Sequence, residues 1–159
     1  MEVRAADLDD PRVAGLLTLH AATARAETAR GSAHALDIDG LRTLDIAVWA
    51  VWEAEALLGV GALKRLSETH GELKAMHTAQ AARRRGAGSL MLRHLIAEAR
   101  AAGLARLSLE TGSWDYFIPA RALYARHGFR ECGPFEGYKT DPNSVFMALD
   151  LIASGEAGG

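Results

Sequence analysis

The sequence predicts a single α/β domain, an α+β arrangement with a mixed, mainly antiparallel sheet flanked by helices. Three observations carry this. Between Ile46 and Thr78 three apolar runs of strand length follow one another with short polar breaks. Ala87, Met91, Leu92, Leu95, Ile96 and Ala99 then recur at helical spacing before the next apolar strand. Finally, 159 residues that are 49% apolar suit one domain with a sizeable core, and no repeat or linker divides them.

Taken in order, Glu2-Val3-Arg4 reads as a short first strand. Asp9, Asp10 and Pro11 supply a helix start, and Val13, Leu16, Leu17 and His20 form its apolar-leaning face. The stretch from Ala24 to Arg42 is mixed, with Gly31 and Gly40 as breakers, and reads as a second helix or an irregular arm. Ile46–Trp52 and Leu57–Leu63 are strands joined by the turn Glu53-Ala54-Glu55, and Glu72–Thr78 completes an antiparallel run of three. Simple alternation puts Glu72, Lys74, Met76 and Thr78 on one face of that strand. The next helix runs from Ala87 to about Ala102, with Gly103 as its stop.

Ala105–Glu110 is the fifth strand, followed by an aromatic-rich loop from Gly112 to Ile118. Pro119 suits the first turn of another helix, and Gly128 suits its C-terminal cap with Phe129 folding back. A loop around Gly133–Tyr138 leads to the last strand, Val145–Leu149. The domain is read as residues 1–152, with 153–159 a frayed tail.

Composition excludes several functions. A net charge of −2 gives no general attraction to nucleic acid or to an anionic membrane, and the basic cluster Arg83–Arg85 is local. Cys132 is the only cysteine, so an internal disulfide and a multi-cysteine zinc site are both ruled out. The six histidines lack the spacing of a helical zinc site, so no metal is expected. There is no Gly-x-Ser-x-Gly elbow, no membrane-length apolar run and no basic-then-apolar leader. A soluble, cytoplasmic protein is expected.

The chemistry concentrates where a strand gives way to Arg83-Arg84-Arg85-Gly86-Ala87-Gly88-Ser89 and a long helix. Two glycines one residue apart let the backbone approach a ligand, and the helix behind them points free N–H groups and its positive end outward. Such a site wants phosphate, most of all a pyrophosphate. A P-loop needs Lys and then Ser or Thr after the second glycine, where this chain has Ser89-Leu90. A dinucleotide fingerprint needs a small residue where Met91 stands.

The spacing Arg83-x-x-Gly86-x-Gly88 instead resembles the R/Q-x-x-G-x-G/A signature of the GNAT family of acyl-CoA N-acyltransferases. One strand later, Ala122-Leu123-Tyr124-Ala125-Arg126-His127-Gly128-Phe129 resembles the family's second signature, a Leu-Tyr helix ending in Gly-Phe. The resemblance spans roughly residues 2–151 and departs at Pro119-Ala120, where many members carry Asn. It implies a GNAT-type sheet splayed between strands 4 and 5 and acetyl-CoA as co-substrate, with no metal. By the same resemblance the backbone of Met76, His77 and Thr78 pairs with the pantetheine amides. Arg83, Arg84, Arg85, Gly86, Ala87, Gly88 and Ser89 then hold the pyrophosphate. Homodimers are common in such a family, though nothing in the sequence locates an interface.

Acyl transfer to an amine needs a base, because an alkylammonium of pKa ~10.4 is neutral in about one molecule in 2,500 at pH 7. Glu72 is the first candidate, by analogy with an acid at this strand position in the family, and Glu110 is the reserve. Glu72 is otherwise a solvent-facing carboxylate paired with Lys74 or an arginine. Tyr124 stands where the family places the acid that protonates the leaving thiolate; its alternative is a core tyrosine with a bonded hydroxyl. Cys132 lies beyond the second motif and reads as a small core residue, which argues against a covalent intermediate.

Trp114, Tyr116, Phe117, Phe135 and Tyr138 are candidates for the acceptor pocket, with Asp115 or Glu136 to attract a cation. The acceptor is a small-molecule or peptide amine: amino acid, polyamine, aminoglycoside, peptide N-terminus and lysine all stay open. So do transfer of a longer acyl group, transfer to oxygen, and a non-catalytic acyl-CoA-binding domain of the same fold.

Overall fold

The central hairpin is β2 (Ile46–Glu53) and β3 (Ala56–Arg65), joined by Ala54 and Glu55. Ala54 has φ +50°, the left-handed backbone that a two-residue hairpin loop requires. β1 (Glu2–Ala5) pairs antiparallel with β2, and β4 (His70–Thr78) pairs antiparallel with β3. After a crossover helix, α3 (Ala87–Ala101), β5 (Arg106–Gly112) lies parallel to β4. β7 (Ser144–Asp150) pairs antiparallel with β5, and the short β6 (Arg130–Cys132) edges β7. The sheet therefore has seven strands in the order β1-β2-β3-β4-β5-β7-β6, mixed and mainly antiparallel as expected.

This computed structural model describes residues 1–26 and 38–152. The middle of the mixed arm and the tail at 153–159 lie outside the described residues. At the edges of that arm, α1 (Pro11–Ala26) carries the first helix on to Ala26, and α2 (Ile38–Leu41) is a single turn. The Asp10 carboxylate accepts from the Arg12 N–H at 2.9 Å, capping α1 where the acidic pair and Pro11 predicted a start.

Helices cover both faces of the sheet. Val13, Leu16 and Leu17 of α1 pack on Val48, Ala50, Trp52, Val60 and Ala62. On the other face, Met91, Leu92 and Leu95 of α3 pack on Val51, Leu63, Leu73 and Leu107, joined by Tyr124 of α4 (Ile118–Arg126) and by Phe129. Pro119 stands in the first turn of α4, and Gly128, at φ +96°, reverses the chain so that the Phe129 N–H donates to the Tyr124 carbonyl at 3.1 Å.

Two irregularities build the site. The first is a bulge at Ala75, whose φ is +56°. Lys74 opposes Ala62 and His77 opposes Val60, so three steps of β4 match two of β3. Parity reverses there. Glu72, Lys74 and His77 share the α1 face, whereas Met76 joins Leu73 on the α3 face: a Cβ placed on Gly61 would meet Met91 and Leu95 of α3 together with the Met76 sulfur. The expected single face for Glu72, Lys74, Met76 and Thr78 is thus corrected, because alternation holds only up to the bulge.

The second irregularity is the splay. β4 and β5 pair only through His70↔Arg106, Gly71↔Leu107 and Glu72↔Ser108, although both strands continue. Beyond Glu72 the two strands part, leaving peptide groups along that side of β4 for a ligand to satisfy.

Candidate active site

A cavity of about 480 Å³ fills the gap between the parted strands. Its walls are the Glu72–Thr78 edge of β4, the Leu109–Gly112 end of β5, the turn before α3, and Leu123 and Tyr124 of α4. α1 contributes His20 and Thr23, and Tyr138 closes one side.

At one end, α3 begins at Gly86 with φ +88° and no side-chain cap, so its first N–H groups face the cavity without an internal partner. Arg84 is also left-handed, at φ +66°. A backbone turn of this kind can curl successive N–H groups into an anion-binding concavity. Arg83 and Arg84 line the cavity with Gly86, Ala87, Gly88 and Ser89. Arg85 points elsewhere and forms an ion pair with Glu53 on the β2–β3 turn. The Ala87 methyl is buried in the core, so only its backbone serves the turn. Ser89 is held from two sides: its hydroxyl donates to His127 Nε2 at 3.0 Å and accepts from Arg93 at 2.9 Å. His127 Nδ1–H donates to the Leu123 carbonyl at 2.9 Å, which fixes the tautomer with Nε2 as acceptor.

Along the β4 edge, His77 and Thr78 register with Val60 and Gly59 of β3, while their other side borders the cavity. The His77 ring meets His20 of α1, with Nδ1 to Nδ1 at 3.2 Å and the rings edge to face. Burial pushes His20 down to about 4, with the neighbouring His77 adding to it. Burial also lowers His77, helped by the Arg83 charge. Both imidazoles are neutral at pH 7, one donating and the other accepting. Sequence reasoning saw each histidine alone, and nothing in their spacing pairs them.

At the other end stand Tyr124 and the two carboxylates. Tyr124 is buried, its ring packed against Phe129, and its phenol is raised above the ordinary range by burial and by the charge of Glu110. Glu72 is buried rather than solvent-facing: one carboxylate oxygen accepts from Lys74 Nζ at 3.0 Å and from the Tyr138 hydroxyl at 2.6 Å. Glu110 lies on the same sheet face, since Glu72 registers with Ser108 and strand alternation carries that face to Glu110. Its carboxyl is pushed up to about 7, chiefly by burial; Ser144 and Lys74 pull it back, and Glu72 and Asp141 push it further. A carboxyl half-ionised at neutral pH beside a cavity is equipped to take a proton.

Of the aromatic candidates, Tyr116, Phe117 and Tyr138 line the cavity. Trp114 is exposed, and Phe135 packs among His70, Tyr138 and Phe146. Asp115 and Glu136 are surface groups away from the cavity wall. Among the described residues, no group of His, Cys, Asp and Glu is arranged to hold a metal ion.

Comparison with known proteins agrees with this geometry. The acetyltransferase (GNAT) family model matches residues 10–129. The chain is 44% identical over 154 residues to the uncharacterized N-acetyltransferase YedL of Escherichia coli (strain K12), covering 97% of each. A solved structure from Klebsiella pneumoniae, designated a putative acyl-CoA N-acyltransferase, superposes with a TM-score of 0.80 at 27% identity, covering 95% of this chain and 97% of the other. An aminoglycoside 6'-N-acetyltransferase crystallised with coenzyme A shares the fold, with a TM-score of 0.71 at 16% identity over 96% of this chain and 98% of its own. With a splayed parallel pair, an uncapped glycine turn at the start of α3 and relatives along nearly its whole length, this chain belongs to the GNAT acetyltransferase family.

Proposed function

We propose that this protein transfers the acetyl group of acetyl-CoA directly to a primary amine within a ternary complex. One observation carries the reading. A single cavity joins an anion-receptive helix start to a tyrosine and a carboxyl that titrates near neutrality, across a strand edge with open peptide groups. The turn from Arg83 to Ser89, apart from the Arg85 side chain, suits the pyrophosphate. The Met76–Thr78 backbone suits the pantetheine amides as an added strand would. The reading places the enzyme in the cytoplasm; among the described residues no helix is long and apolar enough to cross a membrane.

In this reading Glu110 is the base and Glu72 supports it. Glu110 takes a proton from the acceptor ammonium, freeing the nitrogen lone pair to attack the thioester carbonyl carbon. As the carbon–sulfur bond breaks, Tyr124 protonates the departing thiolate, and the second proton of the new amide nitrogen restores the phenol. Glu72 is already engaged by Lys74 and Tyr138, so its negative charge helps hold the Glu110 carboxyl high. Tyr124→Phe removes only the donor needed as thiolate leaves. It is expected to lower kcat by roughly 100-fold with little change in KM for acetyl-CoA. An unchanged kcat, with chemistry rate-limiting, assigns Tyr124 to the core alone.

The binding half of the proposal is tested by thermal unfolding. At a concentration about 100 times Kd, a ligand of the native state adds roughly 2.7 kcal/mol. For a domain of this size that raises Tm by about 5–10 °C. CoA should do this, dephospho-CoA should retain most of the shift, and ATP should give little. A large shift with ATP and none with CoA overturns the proposal. Release of free CoA thiol on adding an amine tests the catalytic half.

A further inference from the structure

We propose that the acceptor is a small arylalkylamine carrying a single positive charge, and that polycationic amines are disfavoured; this rests on the acyl-transfer reading above. Gly112 shares the β5 face of Glu110, and a Cβ there would collide with Phe117 Cδ2. The Phe117 ring is therefore seated on bare backbone, one strand repeat beyond the proposed base. Arg121 locks this turn by donating to the carbonyls of Gly112 at 2.6 Å and Trp114 at 3.2 Å. Across the strand, Phe146 registers with Glu110, and the Tyr138 ring packs 5.5 Å from it. Phe117 and Tyr138 thus flank Glu110 from two sides, and both line the cavity. A flat apolar body fits between such walls with its amine at the carboxyl.

Charge sharpens the choice. On this face Lys74 and Glu72 neutralise each other at 3.0 Å. His20 and His77 are held neutral by burial. Asp141 acts on Glu110 from outside the cavity wall, with an oxygen accepting from the Asn143 N–H at 2.8 Å. Among the described residues that leaves Glu110 as the carboxylate of the wall able to answer an incoming ammonium. Among the described residues the other charged groups of the wall are Arg83, Arg84 and Arg126, all positive. A second ammonium entering here finds no further unpaired carboxylate among the described residues of the wall and meets like charge. Size points the same way, because about 480 Å³ must also house the pantetheine arm.

The test measures thiol release at saturating acetyl-CoA with 2-phenylethylamine, spermidine and kanamycin. We expect kcat/KM for phenylethylamine to exceed that of either polycation by at least roughly 100-fold. Phe117→Ala should raise KM for phenylethylamine about tenfold while leaving KM for acetyl-CoA unchanged, and Phe117→Leu should recover part of the loss. If the alanine variant does not fold, the leucine variant and calorimetric binding of phenylethylamine to the CoA complex decide the matter. A polycation turned over as well as phenylethylamine overturns this inference and leaves the acyl-transfer reading standing. So does a protein that binds CoA yet neither binds nor acetylates phenylethylamine. A protein that binds no CoA overturns both.

Discussion

Glu110→Gln is expected to lower kcat/KM by about 100-fold or more at pH 7 and, at pH 8, to make the protein more stable. The two effects have one cause. Burial lifts the Glu110 carboxyl from 4.5 to about 7, so the fold prefers it neutral while catalysis needs it ionised. The stability that a raised carboxyl contributes is fully present below its unfolded value near 4.5 and is lost as pH rises through about 7. Above pH 7 the native protein therefore carries a charge that its surroundings disfavour. A neutral amide of the same shape removes that penalty, about 2–3 kcal/mol, or a Tm gain of about 4–12 °C.

The gain should shrink as pH falls and vanish near pH 4, where both side chains are uncharged. Thermal unfolding at pH 4 and pH 8 checks this, and the pH profile of kcat/KM checks the catalytic side. Wild-type activity should fall tenfold per unit below about pH 7, a dependence that the variant loses. Glu72→Gln separates the two carboxylates. It strands the Lys74 ammonium, whose side chain is only 11% exposed, and so it destabilises the protein by roughly 3 kcal/mol at neutral pH. The descending limb should survive in it, moved to lower pH because the Glu72 charge no longer holds the Glu110 carboxyl up. A Glu72→Gln profile that loses this limb while Glu110→Gln keeps it would exchange the two roles.

The elements that the sequence revealed are those whose signals are local. The period of Met91, Leu92, Leu95, Ile96 and Ala99 marks α3 within its own turns, and all five are buried. Pro119 and Gly128 act on the backbone where they stand, so α4 could be bounded from sequence. The glycine turn is legible for the same reason. What stayed hidden depends on pairs remote in sequence. Tyr138 reaches Glu72 across 66 positions and His20 reaches His77 across 57, neither with a spacing rule to announce it. The bulge at Ala75 carries no glycine to mark it, and that one residue moves Met76 to the opposite face. Three consecutive arginines look alike until Glu53 arrives from the β2–β3 turn and takes Arg85. Glu110 could be named as a base from its place at a strand end, but its elevated titration belongs to burial, which only the fold supplies.

Gly88→Val is expected to raise the Kd for CoA by more than about 100-fold while leaving a folded domain, and Gly86→Ala to act differently. The two glycines do separate jobs. Gly86 holds φ +88° with nothing within 4 Å of where a Cβ would go, so its requirement is conformational. Alanine there costs about 1–2 kcal/mol of backbone strain, lowering Tm by some 2–8 °C in the free protein. CoA binding weakens only as far as the turn's N–H groups tilt. Gly88 has no such backbone demand. Its Cβ would sit 3.2 Å from Leu123 Cδ2 and 3.4 Å from Thr78 Oγ1, in the crevice where β4 and α4 flank the cavity. A methyl is tight but tolerable there, so Gly88→Ala should bind CoA with a modest loss. Valine adds two carbons with no room to turn aside, which fills the passage between the proposed pyrophosphate and pantetheine positions. Circular dichroism separates blocked binding from unfolding, and the CoA-dependent Tm shift reads the binding. A Gly88→Val protein with native dichroism and an undiminished shift requires CoA to enter by another route, and the turn from Arg83 to Ser89 then loses its assigned role.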